Sequence, residues 1–205
     1  MEDKLRVIVV ELANGGGLIH YDYQLCTALA NEGMDVTLVA GAEYELADQP
    51  HNFKVEKMFH LWGKFDPQSS QALSPWKRGL RKIFLNLRRA VRAARIFWAW
   101  IRLTLYLTRV KPDLIQFSRI EHSFEVIFLV YLRQCGLTLS QTCHEFETRE
   151  SRDRFSNLLL RLDTVAYSQF SAIFFLAEES RRRFLSLYPS IHEIYTQVIP
   201  HGNSN

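Results

Sequence analysis

Apolar positions near the start of the chain change from one spacing to another, and the change predicts a strand, a turn and a helix. Arg6 to Leu12 is an almost unbroken apolar run, interrupted by Glu11, as expected of a strand covered on both faces in a parallel sheet. Gly15-Gly16-Gly17 ends it. Tyr21, Leu25, Ala28 and Leu29 then share one side of a helix that stops at Gly33, the residue type expected just past a helix C-terminus. Asp35 to Val39, closed by Gly41, is a second strand, so the unit reads β-α-β with a right-handed crossover.

The alternation continues to the end. Val55 to Leu61 fits a strand, and Trp62 to Pro75, with Gly63, Pro67 and three serines, reads as an irregular loop. Lys77 to about Arg109 is one long helix or a broken pair. Leu114 to Phe117 is a short buried strand, Glu121 to Cys135 a helix closed by Gly136, and Leu137 to Cys143 another strand. Arg152 to Leu162 reads as helix, Ala172 to Leu176 as strand, and Glu178 to Leu187 as a helix with acids in its first turn and Pro189 behind it. Val198-Ile199 closes a last short strand. Strands and helices in this order predict a Rossmann-like three-layer α/β/α sandwich around a mostly parallel sheet, one domain over residues 1–205.

With 47% hydrophobic and 23% charged residues in 205, the composition excludes disordered, collagenous and coiled-coil chains. Cys26, Cys135 and Cys143 show no C-x-x-C spacing, which excludes a disulfide framework and a zinc knuckle. No eighteen apolar residues run uninterrupted, and Met1-Glu2-Asp3-Lys4 opens no secretory pattern. A cytoplasmic, reducing location is expected.

The net charge of +3 hides an asymmetry. No acid falls between Asp66 and Asp113, a window holding eleven Lys or Arg and leaving 14 basic against 22 acidic residues elsewhere. An acidic body carrying one cationic segment points to an anionic partner. On a helical wheel Arg78, Arg81, Lys82, Arg88, Arg89, Arg92, Arg95 and Arg102 lie apart from Leu80, Ile83, Phe84, Leu87, Val91, Ala94, Trp98 and Ile101. With Phe97, Trp100 and Tyr106 added, this pattern fits an interfacial helix held by Arg81, Arg88, Arg89, Arg92, Arg95 and Trp98 on anionic lipid. The alternative is a helix whose apolar face packs on the sheet while its arginines are solvated. Nucleic acid is not expected, because no RNP-, KH- or zinc-finger-like pattern accompanies the charge.

Ligands of such sheets bind beyond the carboxyl ends of the strands. Gly15, Gly16 and Gly17, between a strand and a helix, leave backbone N–H groups able to face a phosphate, or else simply make a tight turn. Neither G-x-G-x-x-G nor the Walker A pattern is present, since His20 stands where the third glycine would be. His144 follows a strand directly and is a candidate for contact with a sugar hydroxyl or for proton transfer, or a loop histidine. His20, Arg119, Glu121, His122 and Glu147 line the cleft or are surface residues. His20, His144 and His201 lack metal-ligand spacing, and no metal is expected.

Several segments in order resemble one family. Arg6 to Leu12 with Gly-Gly-Gly, Leu25-x-x-x-Leu29 and Gly33-Met34-Asp35-Val36 resembles the opening of retaining glycosyltransferases of family 4, which have the GT-B fold. Lys111-Pro112-Asp113-Leu114-Ile115-Gln116-Phe117 is similar to the family's "KPDVVHxH" strand, Thr142-Cys143-His144-Glu145 to its "TxHD" strand end, and Ala177-Glu178-Glu179-Ser180 to its "vSe" step. Val198-Ile199-Pro200-His201-Gly202-Asn203 is similar to the "VIPHGxD" segment that leads into the second domain. Met34, Asp35 and Gln116 depart from the usual residues. The resemblance implies an N-terminal, acceptor-binding half. Gly15, Gly16 and Gly17 would approach the donor diphosphate, His144 would contact the transferred sugar, and the cleft loops would hold a saccharide or lipid-linked acceptor. It further implies no cofactor beyond a nucleotide sugar as co-substrate, held mainly by a donor-binding half with its E-x7-E pair. That half is expected from outside this chain, on a separate polypeptide or a longer one. The setting implied is polysaccharide biosynthesis at the inner face of the cell membrane, with a non-catalytic membrane-recruiting subunit as the other reading.

Overall fold

A computed structural model describes residues 4–12, 15–59, 75–120, 122–143, 156–191 and 193–199. Seven strands and five α-helices alternate: β1 Arg6–Val10, α1 Gly17–Asn31, β2 Asp35–Gly41, β3 Lys54–Phe59, α2 Pro75–Val110, β4 Leu114–Phe117, α3 Glu125–Gln134, β5 Leu139–Cys143, α4 Ser156–Tyr167, β6 Ala172–Phe175, α5 Glu178–Leu187 and β7 Tyr195–Val198. The strands form one sheet in the order β3-β2-β1-β4-β5-β6-β7, and every pairing is parallel. The expected Rossmann-like α/β fold is what forms.

The apolar run of β1 is buried on both faces because it sits mid-sheet. Val7 and Val9 join Ile19, Cys26, Val36 and Leu38 on the α1 side, while Ile8 and Val10 join Trp100, Leu103 and Leu107 of α2 on the other. The chain builds β1, β2 and β3 outward in one direction, then returns to lay β4 against the opposite edge of β1. The order therefore reverses between β1 and β4, which opens a crevice there at the carboxyl ends.

Boundaries differ locally from expectation. α2 is one continuous helix of 36 residues, closed by Lys111 at φ 48 with Pro112 behind it. α3 starts at Glu125, four residues later than the periodicity suggests, where its backbone N–H bonds the carbonyl of His122. β7 is Tyr195–Val198, ending one residue before Ile199.

Face choice on α2 also differs from the wheel. Ile96, Ala99, Trp100, Leu103 and Leu107 are the residues it buries, with Trp100 stacked on Phe117 at 5.8 Å and on Phe128 at 5.6 Å. Phe84, Leu87, Val91 and Trp98 remain exposed, and no residue from 84 to 95 is buried. Of that apolar stripe, Phe84, Leu87, Val91 and Trp98 do not pack on the sheet, whereas Ile101 packs against the core. Trp100 stands level with Phe117 at the carboxyl tip of β4, and Val110 lies at its amino end, held by the Arg6 guanidinium. At 1.5 Å per residue, residues 75–95 thus extend about 30 Å ahead of the carboxyl edge. Among the described residues, no helix is long and apolar enough to cross a membrane.

Candidate functional site

A cleft of about 510 Å³ opens at the carboxyl edge, lined by residues that follow β1, β4 and β6 and by the last residues of β5: Gly17, Leu18, Ser118, Arg119, Thr142 and Cys143 among them. It lies at the β1/β4 reversal. Gly17 and Cys143 share this cleft, so the glycine turn and the tip of β5 converge on one side of the sheet. His144, Glu147 and Glu121 lie outside the described residues, as does the Arg81 side chain.

The floor on the α1 side is a buried polar layer. Glu11, directly after β1, and Asp22, in the second turn of α1, are 2% and 0% exposed. Ser118 Oγ, directly after β4, donates to Asp22 Oδ1 at 2.6 Å. Burial holds the Asp22 carboxyl well above the ordinary carboxylate range; the Ser118 bond opposes this and the neighbouring Glu11 charge reinforces it. The Glu11 carboxyl thus lies close enough to Asp22 to favour its protonated form. Alongside, Gln116 Nε2 donates to Thr142 Oγ1 at 2.8 Å, and Ser140 Oγ donates to Gln116 Oε1. Tyr21 bonds Thr142, and burial pushes its phenol up. Cys143 is a free thiol pushed up to about 12 by burial, so it is neutral and no nucleophile at physiological pH.

The glycine turn meets a carboxylate. α1 begins with no capping side chain and no acid in its first turn. Glu45, from the β2–β3 connection, supplies one: Gly16 N–H donates to Glu45 Oε1 at 2.9 Å, and His20 Nε2 lies 3.0 Å from the same oxygen. Gly16 itself sits at φ 96, a backbone that side chains disfavour, and a Cβ on Gly15 would run into the Glu45 carboxylate. The anion-seeking N–H of the turn is thus occupied by the protein's own carboxylate.

Of the residues singled out from the sequence, Gly17 and Arg119 line the cleft. Gly15, Gly16 and His20 instead face Glu45, beside it. Arg89 and Trp98 are exposed on α2, with Arg88, Arg92 and Arg95 half-buried. Sequence reasoning missed Asp22 and Gln141, and gave Ser118 and Thr142 no site role of their own. One signal was available: Ser140-Gln141-Thr142 is a polar run inside a strand whose neighbours mark it as buried. Among the described residues no group of three or more His, Cys, Asp or Glu side chains is placed to hold a metal ion.

Comparison with known proteins agrees with this architecture. The family model of Glycosyltransferase Family 4 matches residues 15–203. Among solved structures, HepE of Anabaena, in complex with UDP-glucose, superposes with a TM-score of 0.57 at 15% identity over 97% of this chain and 44% of that one. Sucrose-phosphate synthase from Thermosynechococcus elongatus gives 0.57 at 14% identity, over 96% of this chain and 48% of that one. A glycosyltransferase from Rickettsia africae gives 0.53 at 12%, over 98% and 44%. The chain spans less than half the length of these three proteins. No curated protein matches it by sequence.

Proposed function

The chain belongs to glycosyltransferase family 4, and from that membership we propose that it is the acceptor-binding half of a retaining enzyme that moves a sugar from a nucleotide sugar to a saccharide or lipid-linked acceptor. The observation that carries this reading is the cleft, where the turn after β1 and the tips of β4 and β5 meet at the reversal of strand order. A nucleotide sugar is the ligand of HepE, and a donor of that class suits a site flanked by a glycine turn.

In this proposal Gly15, Gly16 and Gly17 approach the donor diphosphate, and Glu45 yields the Gly16 N–H when the phosphate arrives. His144 contacts the transferred sugar, and Arg119 faces the acceptor from the cleft wall. Departure of the diphosphate is stabilised without a metal, by basic groups and a helix N-terminus of a second α/β half, whether on the same or a separate polypeptide. The acid-free face of α2 lies on anionic lipid, which places the work at a membrane surface. The test is a transfer assay on the complete enzyme. His144→Ala abolishes transfer while circular dichroism stays unchanged; full activity in that variant removes the role given to His144.

A further inference from the structure

The cleft contains one feature that packing does not explain. Gln141 lines it, is 4% exposed, and its side-chain Oε1 has no hydrogen-bond partner among the described residues. A buried carbonyl without a donor destabilises a fold, so native proteins rarely keep one without a use. Leu139 and Cys143, which share its face of β5 by alternation, are apolar and belong to the core, so an apolar side chain at 141 would serve packing equally well.

We propose that this cleft seats a sugar ring through one hydroxyl, with Gln141 Oε1 as the hydrogen-bond acceptor that selects for it. The reading rests on the transferase assignment above. An amide oxygen requires a ligand that brings a donor, which phosphate and carboxylate do not, whereas each sugar hydroxyl does. The rest of the lining has the same dual character. Arg119 adds a charged side chain, while Leu18, Ile120 and Leu176 offer apolar surface for the C–H face of a ring. The volume of about 510 Å³ is within the usual range for small-ligand sites. The ring belongs either to the acceptor or to the donor's transferred sugar.

Saturation-transfer NMR on the 205-residue chain tests this, with the methyl glycosides of glucose, galactose, mannose and N-acetylglucosamine and with UDP-glucose as probes. Wild type is expected to bind at least one, and one monodeoxy analogue of that ligand to bind at least tenfold more weakly. Gln141→Leu should bind the parent ligand as weakly as wild type binds that analogue, and lose nothing further with the analogue itself. Its melting temperature should equal or exceed that of wild type, which a structural role would not produce; Gln141→Met serves as a second variant of similar shape. Loss confined to the free glycoside assigns the ring to the acceptor, and loss confined to UDP-glucose assigns it to the donor. Equal binding by wild type and Gln141→Leu overturns the role of Gln141 and leaves the transferase assignment standing. Binding of none of the probes by wild type overturns the site. Gln141-dependent binding in a complete enzyme that transfers no sugar keeps the site and overturns the transferase assignment.

Discussion

Ser118, one residue past β4, donates a 2.6 Å hydrogen bond to Asp22 in α1, and so ties together positions 96 apart in sequence across the reversal of strand order. Both side chains are buried, and Glu11 completes the group from the end of β1. Three separate segments thus share one polar contact beneath the cleft.

The proton in this group sets a pH dependence. Burial raises the Asp22 carboxyl well above its ordinary 3.8, so the folded chain holds the proton more tightly than the unfolded one. The resulting stabilisation is complete below the unfolded carboxylate value and is lost as pH rises through the raised folded value. Asp22→Asn keeps the shape and the Ser118 bond without the charge. Melts followed by circular dichroism from pH 5 to 9 should flatten, with the variant at least as stable as wild type at pH 8. Asp22→Ala, which leaves Ser118 and Glu11 each without this partner, should cost about 1–3 kcal/mol.

Trp100 is fully buried, stacks on Phe117 and Phe128, and donates from Nε1 to Glu125 Oε1 at 3.2 Å. Urea denaturation should show a loss of about 3–5 kcal/mol for Trp100→Ala. Trp100→Phe keeps an aromatic ring but removes a donor from buried Glu125, and should cost about 1–3 kcal/mol.

Lys111 takes the left-handed conformation that ends α2, and its N–H bonds the Leu107 carbonyl at 2.9 Å. Glycine adopts that backbone more readily. Lys111→Gly should raise stability by about 0.5–1 kcal/mol in the same denaturation experiment.

On α2, reversing four charges should release the chain from lipid. Arg88, Arg89, Arg92 and Arg95 each contribute about 1 kcal/mol near an anionic surface. Co-sedimentation with phosphatidylserine-containing liposomes should fall at least tenfold when all four become Glu, with unchanged circular dichroism. Undiminished sedimentation ends the membrane assignment.

Glu45 competes with any anion for the Gly16 N–H. Its contact with His20 is exposed and worth little to stability. Glu45→Ala also removes the side-chain acceptor from the Gly16 N–H at the start of α1, and should cost about 0.5–2 kcal/mol in a denaturation experiment. In the complete enzyme it should lower KM for the nucleotide sugar several-fold, and an unchanged or raised KM contradicts the competition.

Much of the fold was legible because its period changes cleanly. β4 and α5 fall where their apolar spacing and first-turn acids place them, and Gly33 and Gly136 take the positive φ expected of residues past a helix end. The site was less so. Asp22 looks like one more polar residue on an amphipathic helix, and only the return of β4 beside β1 brings Ser118 to it. The buried face of α2 was hidden for a related reason. Trp98 and Trp100 are equally apolar, and contact with Phe117 and Phe128 decides which one faces inward.

The forward reach of α2 constrains how ligands arrive. Under the membrane contact proposed above, a lipid surface carrying residues 84 to 98 lies on the side from which both the helix and the cleft project. A molecule confined to that surface then searches for the opening in two dimensions instead of three, and a weak intrinsic affinity suffices at the high local density the surface provides.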